Sequence, residues 1–510
     1  MPVPPVPRPQ PPRRARRCAA AALLLTFAAA GTAQEAALPM PPPLPHREFR
    51  AAWVATVDNI DWPSRKGLPT AAARAELLAL VDEASALGLN ALVFQVRPSA
   101  DAFYRSEREP WSEWLCGAQG QAPQPAWDPL AELLDYAHLQ GLEVHAWFNP
   151  FRARHPAAKS PDAAEHVLRR MPDACVTYGS YRWMDPGDPR AADWSLAVIA
   201  DVVARYDVDG IHLDDYFYPY PEKGAPFPDE GSYRGYRQGG GTLARADWRR
   251  ANIDAFVWRL QRDTHQQKAW VKVGISPFGI ARPGVPRGIQ AGIDQYEELA
   301  ADVLGWLQRG EVDYLAPQLY WPIDQEPQSY AVLLPWWCGQ NTARRHLWPG
   351  LSAGRALAAK APWRADELGQ QIEMTRAQTA TSPGHVLFSW RALRAGSPQR
   401  DALRAQLRAV YREAAVVPAS PWLDEDAPLP QEPRVTLQRD GDRVQALVTC
   451  DDRARFWCAQ VLVGPRWLTL CVRGARSPGV ELPPGCSAVA VRGVAPNGLL
   501  GEPAVLPVPR

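Results

Sequence analysis

The sequence predicts an α/β protein, a (β/α)8 TIM-type barrel, followed by a small all-β sandwich. Three observations predict it. Eight short apolar runs alternate with helical patterns between Phe49 and residue 415. The first run leads into "ATVDNIDWPS" instead of the glycine-rich phosphate turn of a doubly wound open sheet. Beyond Pro430 the helical period disappears and short alternating strands take over.

The elements follow in order. "RRARR" (13–17) is a positive n-region and "CAAAALLLTFAAA" (18–30) an apolar stretch too short to span a bilayer. Gly31 and Ala33 then offer small residues for cleavage, so residues 1–33 are expected to be a signal peptide; an uncleaved anchor is the other reading. Five arginines and no acid precede residue 34, and removing them leaves 51 basic against 55 acidic residues. That balance points away from a nucleic-acid partner. Export implies an oxidising compartment. Seven cysteines remain after Cys18 is lost, and Cys450, Cys458, Cys471 and Cys486 invite one or two disulfides. None has metal-site spacing, so neither metal nor cofactor is expected. Residues 34–47 include the proline-rich "LPMPPPLP" and are expected to form an extended linker.

The barrel is expected over 48–415. Its strands begin near Phe49, Asn90, Leu142, Val208, Trp270, Val312, His346 and Gly384. Leu77, Leu80, Val81, Ala84 and Leu87 recur at helical spacing, with Gly88 as the stop; Leu130, Leu133, Leu134 and Ala137 repeat the pattern before Gly141. A linker (416–430) and a β-sandwich module (431–510) follow. "RDGDR" and Asn497–Gly498 supply turns in the module.

In such a barrel chemistry sits at the C-terminal ends of the strands. The first strand delivers Asp58, Asn59, Asp61 and Trp62, and the second Gln95, Arg97, Asp101, Tyr104 and then "SEREPWSEWLCG" with Glu109 and Trp111. The third delivers His145, Trp147, Asn149 and Arg152, and the fourth His212, Asp214, Asp215, Tyr216 and Tyr218. Ser276 and Phe278 follow the fifth, Gln318, Tyr320, Trp321 and Asp324 the sixth, and Trp390 and Arg391 the eighth. Aromatic faces for sugar rings, with amides and carboxylates for hydroxyls, describe a carbohydrate site. Ser276 is outside any GxSxG turn, which excludes a serine hydrolase of that kind.

"RAAWVATVDNIDWPS", "VFQVRPSADAFYRSEREPWSEWLCG", "HAWFNPFR", "VDGIHLDDYFYP", "GISPFGIAR" and "DYLAPQLYW" resemble, in order and at barrel spacing, the motifs of the glycosyl hydrolase-like 10 family. The resemblance implies an exported glycosidase of the periplasm or cell envelope. Its polysaccharide would be peptidoglycan glycan strands, preferentially those lacking stem peptides, and its partners cell-division or envelope proteins. A carbohydrate-binding barrel without turnover is the alternative. The C-terminal module resembles a fibronectin type III fold.

Neighbours along a strand point to opposite faces. Gly210, His212 and Asp214 share one face and the apolar Ile211 and Leu213 the other, so Asp214 points into the barrel mouth and Asp215 starts the loop. Glycoside hydrolysis usually takes two carboxyls. Asp214 and Asp215 are the expected catalytic pair, with Glu109 as a third candidate and Asp101, Asp61 and Asp324 as further rim carboxyls. The pair also suits a substrate whose 2-acetamido group acts as internal nucleophile. Expected substrate contacts are Arg97, Asp101, Tyr104, Trp111, Asn149, Arg152, Tyr216, Tyr218, Gln318, Tyr320 and Trp321. Arg97 would clamp a substrate carboxylate or hold Asp101 or Asp214 in place. His145 and His212 are expected inside the barrel as hydrogen-bonded residues.

Overall fold

Among the described residues between Phe49 and Val410, eight parallel staves alternate with eight principal helices, and further helices lie in the loops. The staves are β1 (Phe49–Val54), β2 (Ala91–Arg97), β3 (Glu143–Phe148), β4 (Gly210–Leu213), β5 (Lys272–Ile275), β6 (Tyr314–Leu315), β7 (His346–Leu347, resumed at Gly350–Leu351) and β8 (Gly384–Leu387). The helices that follow them in turn are α1 (Thr70–Leu87), α2 (Pro129–Leu139), α3 (Pro189–Arg205), α4 (Arg245–Gln267), α5 (Val303–Arg309), α6 (Tyr330–Gln340), α7 (Glu367–Gln378) and α8 (Pro398–Val410). This computed structural model describes residues 41–358, 363–378 and 383–509. The expected signal peptide and the first part of the proline-rich linker lie outside the described residues.

The two pieces of β7 close the ring. His346–Leu347 pairs with β6, while Gly350–Leu351 pairs with β8, which pairs with β1. The result is a TIM-like α/β barrel. Helix ends are where the sequence signals them. Gly88 takes the left-handed conformation that ends α1, at φ 90°, and Asp128 and Asp188 cap α2 and α3 ahead of a proline at the first turn.

Alternation along the staves separates two cores. Leu92, Phe94, Val144, Ala146, Ile211 and Leu213 face the helices, while Phe49, Ala51, Trp53, Val93, Trp147, Tyr314 and Trp348 fill the barrel itself. Interior glycines make room for interior rings. A Cβ on Gly210 would lie 2.7 Å from the His145 ring, and one on Gly274 would lie 1.9 Å from Tyr314. Polar groups in the interior are chained together. Trp53 Nε1 donates to His212 Nε2 at 3.1 Å, His212 Nδ1 meets the Tyr314 hydroxyl at 2.9 Å, and that hydroxyl meets His145 Nδ1 at 2.7 Å. His145 Nε2 then meets Glu143 at 3.0 Å, and Glu143 pairs with Lys272. Tryptophan only donates, so His212 carries its proton on Nδ1 and every later link has one direction.

The C-terminal module has two antiparallel sheets. Arg434–Asp440, Arg443–Thr449 and Gly479–Glu481 form one; Arg466–Gly474, Phe456–Val463, Cys486–Val494 and Ala504–Pro507 form the other. Val444, Ala446 and Val448 from the first share a core with Trp457, Val461, Val489 and Val491 from the second. The segment before it, expected as linker, is itself packed: Val416, Val417, Ser420 and Leu423 are buried. The described residues form one compact unit.

The invited disulfides do not form: all seven described cysteines are free. Cys458 sits opposite Val472 and Cys471 opposite Ala459, one residue out of step. The two side chains therefore leave opposite faces of the sheet, Cys471 into the module core and Cys458 into the cluster with Val416 and Phe456. Among the described residues no helix is long and apolar enough to cross a membrane.

Candidate active site

Four successive stave ends are wired to one another. Gln95, on β2, accepts at Oε1 from the backbone N–H groups of Thr56 (2.8 Å) and Val57 (2.9 Å) after β1. That orientation turns its Nε2 toward Asn149 Oδ1, 2.6 Å away, after β3. Asn149 Nδ2 then points at Asp214 Oδ2, 2.5 Å away, after β4. Two backbone donors thus set both amide orientations and aim a donor at one carboxylate. The same Asp214 oxygen accepts from Trp147 Nε1 at 3.3 Å, and Oδ1 accepts from the Tyr216 N–H at 3.4 Å. Arg152 NH2 lies 3.9 Å from Oδ2.

Asp215 has fewer donors. The Tyr220 hydroxyl donates to its Oδ2 at 2.5 Å, and Gln318, two staves along the barrel, favours its ionised form. Both aspartates are buried, at 5% and 4% exposure, so loss of water raises both carboxyls. For Asp214 the Arg152 charge and the Asn149, Tyr216 and Trp147 donors work against that rise. For Asp215 the neighbouring Asp214 charge adds to it, and the carboxyl is pushed up to about 7. Both carboxyls are thus raised, and the like charge makes the pair's second proton harder to lose than its first.

The rest of the rim divides between mouth and scaffold. Tyr216 carries the Arg152 guanidinium 4.9 Å over its ring, and it faces both acids. Tyr320 also faces them, stacked on Phe388 at 5.6 Å. Phe217 packs instead on Trp306, and Tyr218 on Phe227, both fully enclosed. Trp321 lies edge-on to Phe278.

The loop after β2 builds scaffold. Glu109 is enclosed and forms a two-pronged ion pair with Arg97, at 2.6 and 2.7 Å, while accepting from Trp194. Arg97 in turn donates to the Asn149 and Pro150 carbonyls, so this pair positions the strand end that carries Asn149. Arg97 makes no hydrogen bond to Asp101 or Asp214, the two acids it was expected to hold, and Glu109 uses both carboxylate oxygens on Arg97 and Trp194. Asp101 accepts from the Ser99 N–H and Ser112 and is raised by burial to about 7. Tyr104 is enclosed against Tyr206. Trp111 pairs with Ala102 across this loop and is partly buried. Asp61 accepts from Ala55, Ser389 and Arg391, joining the loops after β1 and β8; burial lifts it to about 6. Asp324 is exposed beside Arg364.

Two groups on Asp214 and Asp215 were not among the expected catalytic or substrate contacts: Trp147, which the third strand was expected to deliver to the rim, and Tyr220. Alternation along β3 puts Trp147 on the inward face with Asn149, which was a usable signal. Tyr220 lies between Pro219 and Pro221, in a segment without a period, and nothing local aims it back at Asp215.

Among the described residues no cluster of side chains has the makings of a metal site. The profile of the family described as Glycosyl hydrolase-like 10 matches residues 48–364. Glycosyl hydrolase YngK of Bacillus subtilis (strain 168) is 39% identical over 410 residues, 78% of this chain and 79% of the relative. Glycosyl hydrolase DigH of Escherichia coli (strain K12) is 33% identical over 386 residues, 70% of this chain and 84% of the relative. The solved PgaB (BpsB) glycoside hydrolase domain from Bordetella bronchiseptica aligns at TM-score 0.42 and 14% identity, over 71% of this chain and 99% of that one, a likeness too loose to inform chemistry.

Proposed function

The chain belongs to the glycosyl hydrolase-like 10 family and is a glycoside hydrolase, and on that premise we propose that it cleaves glycan strands of peptidoglycan that lack stem peptides. The observation that carries the mechanism is the unequal setting of the two acids: Asp214 accepts from Asn149, Trp147 and the Tyr216 N–H, whereas Asp215 accepts from Tyr220 beside the Asp214 charge and is pushed up to about 7. A protonated carboxyl beside a leaving oxygen is a general acid. Asp215 gives its proton to the glycosidic oxygen as the bond to the anomeric carbon breaks.

Both acids leave the same stave end, so they occupy one wall of the mouth. That placement favours the 2-acetamido group of the substrate as nucleophile over a second protein carboxyl across the bond. Its oxygen attacks the anomeric carbon, and Asp214 accepts from the acetamido N–H and balances the positive charge that develops. Asp215, now ionised, takes a proton from water, and the resulting hydroxide opens the cyclic intermediate. Tyr216 and Tyr320 offer ring faces to the sugar.

We place the protein in the periplasm or envelope after removal of residues 1–33. Cell-division or envelope proteins are its expected companions there. We read the C-terminal module as fibronectin type III-like, a reading supported by its seven strands divided three and four. The test is digestion of amidase-treated and untreated peptidoglycan with the purified protein, followed by mass spectrometry. Soluble fragments from the amidase-treated material alone are expected. Equal release from both removes the preference for bare strands, and no release from either removes the substrate.

A further inference from the structure

Five arginines of the described chain are buried, and four of them are hydrogen-bonded. Arg50 donates to Glu48 and the Glu413 carbonyl, Arg97 to Glu109, Arg250 to Asp247 and Glu297, and Arg404 to Glu83 and the Leu393 carbonyl. Arg152 is the exception. It is 5% exposed, its guanidinium makes no hydrogen bond, and its Nε is closed off without a partner. Its nearest carboxylate oxygen, on Asp214, is 3.9 Å away, beyond hydrogen-bond reach.

A guanidinium this enclosed and this poorly matched is costly to bury in the free protein. It is nevertheless held firmly. Its backbone pairs with Trp183 in a small antiparallel sheet, and its plane lies over the Tyr216 ring. Asp214 is already served by Asn149, Trp147 and the Tyr216 N–H, so its carboxylate does not depend on Arg152 for donors. What is left is a preset cationic fork at the edge of the mouth, beside the acid pair, with its hydrogen bonds unmade. A planar anion with two acceptor oxygens is the chemistry that completes such a fork.

We propose that Arg152 is the specificity-determining contact for a carboxylate carried by the sugar bound next to the cleavage point. The inference rests on the substrate reading above, in which that carboxylate is the lactyl acid set free when the stem peptide is removed. A strand still bearing peptide has an amide there, which lacks the charge and one of the two acceptors. Arg152 thus gives the preference for bare strands a physical origin.

The experiment crosses the arginine with the carboxylate. Soluble oligomers from amidase-treated peptidoglycan are used as they are and after reduction of their carboxyls to alcohols. Wild type, Arg152→Lys and Arg152→Gln are measured on both. The influence of Arg152 on Asp214 is common to the two substrates and cancels in the ratio of their kcat/KM values.

Wild type is expected to favour the acidic oligomer by about 10–100-fold, mainly through KM. Arg152→Gln brings that ratio close to one, and Arg152→Lys, which keeps the charge and loses the fork, falls between. Equal wild-type rates on the two oligomers overturn the inference and leave the glycosidase reading standing. An unchanged ratio in Arg152→Gln also overturns it, because the arginine then acts only through Asp214. Cleavage of neither oligomer overturns the substrate reading and this inference with it. Should Arg152→Gln fail to fold, Arg152→Lys carries the comparison, and an unchanged ratio in it or equal wild-type rates overturn the inference.

Discussion

At the lower rim of the barrel, where the C-terminal module docks, Asp209 is completely buried and well matched. It accepts from His138 at 2.8 Å and the Val144 N–H at 2.8 Å, with Arg455 of the module 3.6 Å away. Burial opposes its ionisation, but the His138 and Arg455 charges outweigh burial and hold the carboxyl well below its usual range. Glu48, paired with Arg50 and Arg376, behaves the same way. At the upper rim Asp215 is equally buried, meets a like charge instead, and rises to about 7. Similar burial therefore has opposite consequences at the two ends. At the lower end each acid has a cation and adds to stability. At the upper end the acids lack full compensation, and burial raises their carboxyls.

The docking follows the same division. A Cβ on Gly141 would lie 2.3 Å from the Val472 carbonyl oxygen, and one on Gly474 would lie 2.4 Å from that of His138. Backbone meets backbone there, and Arg455 grips Asp207 at 2.7 and 2.8 Å from the module side. Asp209 directly precedes β4, and Asp214 directly follows it, so one short stave carries both kinds of acid.

The strongest way to break the comparison is Asp215→Asn. It should lower turnover on soluble glycan oligomers by about 10²–10⁴-fold, the usual loss for a general acid. Stability should move the other way. A carboxyl raised in the folded state contributes stability below its unfolded pKa and loses it as pH rises through the folded value, here from about 4 to about 7. Above pH 7 the variant should melt no lower than wild type in calorimetry. A clear drop in Tm there would mean that Asp215 is structural.

Arg455→Met attacks the lower rim. It strands Asp209 without its arginine, and loss of one partner of a buried pair costs about 3–5 kcal/mol. A lower urea midpoint with unchanged turnover per folded molecule is expected. The sign with pH is opposite to that of Asp215. Asp209 is depressed in the folded state, so its contribution is present above the unfolded carboxylate pKa and lost as pH falls through the folded value. The gap between wild type and variant should therefore narrow in acid.

Asn149→Ala sharpens the contrast within the upper rim. It removes a donor that favours ionised Asp214, so the acid limb of the kcat/KM profile should move up and the rate fall by about 10–100-fold. The smallest effect is expected from Tyr220→Phe. Its hydroxyl stabilises the Asp215 carboxylate, so removing it should raise that pKa and shift the alkaline limb upward with little change at the optimum. A downward shift would place Tyr220 outside the proton balance.

The amino-acid sequence by itself determined the alternation of strands and helices and the helix stops at Gly88 and Gly141. It also determined the inward direction of Asp214, because periods of 2 and 3.6 are local properties of a chain. Motif order carried the family. Tertiary structure decided which groups surround the two aspartates. It brought Asn149 and Trp147 to Asp214 across more than sixty residues of chain, turned Tyr220 back onto Asp215, and sent Phe217 and Tyr218 outward. It also closed Glu109 against Arg97 and set Cys458 and Cys471 on opposite faces of one sheet. Loops have no period, and a carboxyl's pKa depends on charges and water within a few ångströms of it, so both wait for the chain to fold.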